Sequence, residues 1–212
     1  MCFSATASFI VGGSLISVGA LTLKLAKEKR ELGFALIPLL FGIQQIIEGT
    51  LWLSFHYDMP QLKTVMTYLF TMFSHVLWPI YVPFAVGLLE TERWRLKAMW
   101  IFRLIGVSVS IHLLLLITLQ PLTAVADHHI IYISPSLYEW PMMLLYIAAT
   151  CLVSLFSSHR LIRVFGALAI VLFVIAYLFY TAAFFSVWCF FAAILSLIVY
   201  LFFKGRGSKQ VT

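Results

Sequence analysis

The stretch VFGALAIVLFVIAYLFYTAAFFSVWCFFAAILSLIVYLFF (residues 164–203) runs for about 40 residues without a charged side chain. As one helix it would be a rod of about 60 Å at ~1.5 Å per residue, twice the ~30 Å hydrocarbon core of a bilayer. It is therefore expected to fold back on itself, with the turn near residues 180–183. That turn makes two helices of one apolar run and brings the count to seven. The other five are read over residues 6–25, 32–55, 64–89, 98–119 and 138–157, each an apolar run long enough to span. The expected fold class is all-α, a polytopic transmembrane bundle of seven helices. Residues 1–203 form a single domain, and residues 204–212 form a short basic tail.

Composition supports this reading. Hydrophobic residues make up 63% of the chain, charged residues 10%, and the mean hydropathy is +1.03. A water-soluble domain carries roughly 25% charged residues. The net charge of +6 does not indicate a nucleic-acid partner, because the basic residues sit in short loops between apolar runs. The partner expected from composition is membrane lipid. No Lys or Arg precedes the first apolar run, so a secretory signal is not expected. Cys2, Cys151 and Cys189 are far apart and suggest neither a disulfide framework nor a zinc-finger spacing.

With seven crossings, thirteen of the fourteen Lys and Arg residues fall on one face and only Lys63 on the other. The excess of positive charge on cytoplasmic loops then places the N-terminus outside and the C-terminus in the cytoplasm.

Against this background GIQQIIEGTLW (residues 42–52) is anomalous. Gln44, Glu48 and Trp52 recur every fourth residue and share one helix face, with Gln45 at its flank. Glu48 lies about eight residues from the outer end of its helix, a depth of roughly 12 Å. An ionised carboxylate there costs at least ~2.5 kcal/mol. Glu48 is thus expected to be neutral, hydrogen-bonded or bound to a cation, on a face turned into the bundle.

Other ionisable groups fall in the same outer half. His75 in MFSHVLWP is expected about 16 Å deep, with Pro79 and Pro83 just beyond it to free backbone carbonyls. Cys189 is expected about 10 Å deep. Cys2 stands at the outer end of the first helix, and the loop over residues 120–137 supplies Asp127, His128, His129 and Tyr132. His112 is less well placed, because its level differs from that of His75 by about 6 Å. A thiol, an imidazole and a carboxylate suit zinc or another divalent transition metal. The expected metal ligands are Cys2, Glu48, His75 and His129, with Cys189 in reserve. Glu48 and His75 are the expected catalytic pair.

The segments MCFSATASF, GIQQIIEGTLW, SHVLWPIYVP, HHIIY and SVWCFFAAILS resemble an uncharacterised family of small bacterial polytopic membrane proteins. The resemblance covers most of the chain and implies a bacterial inner membrane. Cys2, Glu48, His75, His129 and Cys189 all fall inside these segments. A looser resemblance is to seven-helix membrane hydrolases of the alkaline ceramidase type, which hold zinc with histidines and an acid. This chain lacks their HxxxH on the last helix and carries Cys189 in that region.

Three functions are compatible with the sequence. One is a metal-dependent hydrolase of a lipid or small amphiphile, with its site facing the outer side. The second is a proton- or cation-coupled carrier or sensor using Glu48 and His75. The third is a non-catalytic structural or partner-binding membrane protein.

Overall fold

A computed structural model describes residues 4–127, 129–134, 139–180 and 183–208. Among these residues the chain is mostly helical and forms seven helices. They are α1 (Ala5–Leu25), α2 (Lys29–His56), α3 (Pro60–Gly87), α4 (Arg93–Leu119), α5 (Trp140–Leu155), α6 (Arg160–Phe179) and α7 (Phe184–Leu195 continued by Leu197–Ser208). All but α5 are long and apolar enough to cross a membrane, and α5 is a shorter apolar helix. The long apolar run breaks where the sequence places its turn: α6 ends at Phe179 and α7 begins at Phe184.

Local chemistry explains the helix starts. The Ser4 hydroxyl accepts from the Ala7 N–H at 3.2 Å and caps α1. Glu31 folds back on the start of α2, accepting from the N–H groups of Lys27 at 2.8 Å and Glu28 at 3.2 Å. Pro60 and Trp140-Pro141 place proline in the first turns of α3 and α5, where its missing N–H costs nothing.

Short connections make successive helices antiparallel, so the molecule has two distinct ends. One end carries the start of α1, Lys63 and the α4–α5 connection. The other carries the loops with Lys27, Arg30, Arg93, Arg95, Arg160 and Arg163. From sequence the α4–α5 connection is expected to be a plain loop. It contains a two-stranded antiparallel hairpin, β1 (Thr123–Ala126) and β2 (Ile130–Ile133), with Ala124 opposite Tyr132. The hairpin sits on α3, where the Tyr132 ring stacks on Phe70 with centroids 4.7 Å apart.

The tightest helix pair is α1 with α2. A methyl group on Gly12 would lie 2.8 Å from Ile46 Cδ1 and 3.1 Å from the Gly42 carbonyl oxygen. Only residues without a side chain allow the two backbones this close, which anchors α1 along the length of α2. At the basic end, Phe34 of α2 packs edge-on against Phe202 of α7, centroids 5.6 Å apart.

Candidate functional site

The anomalous face of α2 turns inward. Gln44, Gln45 and Glu48 are fully buried, and Trp52 is half-buried. Two other helices close over it. From α7, the Ser186 hydroxyl donates to Glu48 Oε1 at 2.5 Å. Cys189, about one turn along α7, stands beside Gln44 and Glu48. From α3, the Trp78 indole N–H donates to Gln44 Oε1 at 2.7 Å. Phe41, three residues before Gln44, stacks on the Trp78 ring with centroids 4.0 Å apart.

His75 reaches this neighbourhood through a distortion of α3. Pro79 and Pro83 donate no N–H, and the backbone over Met72–Leu77 widens into a π turn. Neighbouring helices satisfy carbonyls of this turn. The Tyr146 hydroxyl of α5 donates to the Ser74 carbonyl, and the Ser110 hydroxyl of α4 donates to the Val76 carbonyl at 2.7 Å. The Pro79 carbonyl, which loses its helical donor at Pro83, lies against Gly106 of α4, where a methyl group would collide with it.

The wide turn buries His75 at 1% exposure, with Nδ1 2.7 Å from the Ser74 hydroxyl. The His75 ring lies 6.4 Å from that of Tyr146, and Tyr146 lies 5.7 Å from Trp188, the neighbour of Cys189 in sequence. A chain of contacts through Tyr146 and Trp188 thus links His75 of α3 to the Glu48–Cys189 group of α2 and α7.

The cluster has a lid and a floor. Toward the hairpin end, Leu51, Phe70, Ile130, Tyr132 and Cys189 pack together. Toward the basic end lies a cavity of about 30 Å³ whose walls include Ile37, Phe41, Val82, Phe165 and Ala192. It is large enough for about one water, but its walls are mostly hydrocarbon and aromatic. Cys151 also borders it.

The remaining sequence candidates fall elsewhere. His129 is half-buried at the hairpin turn, its ring edge-on to Tyr180 at 5.2 Å. Asp127 and His112 are exposed. Cys2 and His128 lie outside the described residues. Among the described residues, no three His, Cys, Asp or Glu side chains are grouped so as to hold a metal ion. Sequence reasoning missed Ser186, Ser74 and Tyr146. Hydroxyl side chains are common in apolar helices, and no spacing singles these out.

The chain is thus mostly helical, with six helices long and apolar enough to cross a membrane and a group of buried polar side chains between them. The whole chain, residues 1–212, matches the family described as a family of unknown function (DUF6629), and the chain belongs to it. No curated protein and no solved structure matches.

Proposed function

We propose that this is an integral membrane protein with seven crossings, its hairpin end outside and its basic end in the cytoplasm of a bacterial inner membrane. The distribution of Lys and Arg supports that orientation. The outer half then holds a one-sided ligand site centred on Glu48 and His75. Its ligand class would be small amphiphiles or lipid head groups of the outer leaflet. One observation carries this reading: both groups are buried and linked through Tyr146, Trp188 and Cys189, above an apolar floor.

The donor set suits zinc or another divalent transition metal. Glu48 and His75 would supply two ligands, and the candidate for a third is Cys2, which lies outside the described residues; His129 stands apart at the hairpin turn. When bound, such a metal supplies a water activated for attack on an ester or amide. The chain's own contribution is positional. Ser186 orients the Glu48 carboxyl, and Ser74, itself held by Tyr146 through its carbonyl, orients the His75 ring. Glu48 could serve as general base instead of ligand. The carrier reading has less support, because a carrier needs polar groups continuing to the basic end and the floor provides few.

Elemental analysis of detergent-purified protein tests the proposal. About one divalent transition metal per chain is expected, with loss in both Glu48→Gln and His75→Ala. A monodisperse wild-type chain that stays metal-free after dialysis against zinc overturns the metal. Cation flux into proteoliposomes that vanishes in Glu48→Gln would then favour the carrier.

A further inference from the structure

The seam between α1 and α2 carries polar groups that the Glu48–His75 cluster does not use. Gln45 is fully buried, and neither its Nε2 nor its Oε1 has a hydrogen-bond partner. Flipping the amide rescues nothing, because both ends are orphaned. Ser8 of α1 is also fully buried, and its hydroxyl likewise has no partner. Trp52 adds a third orphan, its indole N–H.

The helix contacts fix how these groups relate. α1 and α2 run antiparallel and touch at Gly12 and Gly42, where a methyl on Gly42 would lie 2.9 Å from the Gly12 carbonyl oxygen. Ser8 is four residues before Gly12, and Gln45 is three residues after Gly42. Both therefore stand about one turn, ~5 Å, from that contact toward the hairpin end, on the facing sides of the two helices. Trp52 follows Gln45 by seven residues, about 10 Å nearer the hairpin end on the same face. Glu48 is three residues from Gln45 on an adjoining face.

A fully buried amide and a fully buried hydroxyl on one seam, both without hydrogen-bond partners, call for a small group that both donates and accepts. Water meets that need, since buried waters take two to four polar partners. We propose that ordered water occupies the α1–α2 seam at Ser8 and Gln45 and reaches it from the hairpin end, past Trp52. The Gly12–Gly42 contact closes the seam on the other side.

The test introduces Ser8→Cys or Gln45→Cys into the full chain in sealed, oriented vesicles. Silver ion, which captures a thiolate only where water reaches it, is added from one side or the other. Modification of the new cysteine is read by peptide mass spectrometry, so native cysteines stay in place. The expected result is modification at least tenfold faster from the hairpin side. Equal rates from the two sides, or no modification until the chain is denatured, would overturn the route. A second measurement uses milder variants. The melting temperatures of Ser8→Ala, Gln45→Leu and the double variant should be non-additive if one water bridges the pair; additive shifts count against it. Neither readout depends on a metal, so a dry seam and a metal-free site are separate failures.

Discussion

Among the described residues the bundle buries three carboxylates. Glu31 folds back on the start of its own helix, and the other two, Glu48 and Glu90, lie toward opposite ends, each by the start of another helix. Glu90, in the loop between α3 and α4, meets the start of α6. Its Oε1 accepts from the Ser157 hydroxyl at 2.5 Å and from the Ser158 backbone N–H at 3.0 Å. At the same junction Arg95 of α4 and Arg163 of α6 donate to the carbonyls of Phe156 and Ser157 between α5 and α6. Glu90 thus takes a hydroxyl and a backbone N–H just before a helix and joins two loops. Glu48 meets the start of α7 inside the bundle, where the Ser186 hydroxyl donates to its Oε1 and Gln44 and Cys189 stand beside it. It joins two helices among other buried polar side chains. The same residue type thus serves as a joint at one end and as a candidate working group at the other.

Four substitutions can break or sharpen this contrast, all read as stability in denaturant or thermal melts of detergent-solubilised protein. Glu90→Ala should cost most, about 3 kcal/mol, because it removes an acceptor to two donors at a buried loop junction. Tyr146→Phe should follow at about 2 kcal/mol, leaving the Ser74 carbonyl without its donor in the π turn. Ser157→Ala should cost about 1 kcal/mol, since Ser158 still reaches Glu90. Glu48→Gln should cost least, within about 0.5 kcal/mol of wild type, because the amide keeps the carboxyl's shape and can still accept from Ser186. If Glu48→Gln destabilises as much as Glu90→Ala, Glu48 is also a joint and the contrast collapses.

The helices were legible because a long uncharged run has few alternatives, and the break near residue 180 followed from length alone. The hairpin was not legible. Its strands are four residues each, and TAVADHHIIYI reads equally well as an apolar loop. The inward turn of Gln44 and Glu48 followed from their spacing and from the cost of leaving them in lipid. The prolines pointed to a distortion beside His75, but not to a π turn, which depends on donors arriving from α4 and α5. Asp127 was grouped with the site on sequence position, and the hairpin turn exposes it instead. The hydroxyl partners were invisible because nothing in a sequence distinguishes a serine that meets a carboxyl across the bundle from one that bonds its own helix.

In the proposed orientation the apolar floor would have an electrical consequence. A proton or cation reaching Glu48 from the hairpin end would cross about 12 Å of a ~30 Å insulating layer and feel about two-fifths of any voltage across it. At ~2.3 kcal/mol per charge per 100 mV, a potential of that size, negative on the basic side, would favour occupancy by about 0.9 kcal/mol, roughly fivefold. Occupancy of this position would then rise with the membrane potential and fall as it collapses.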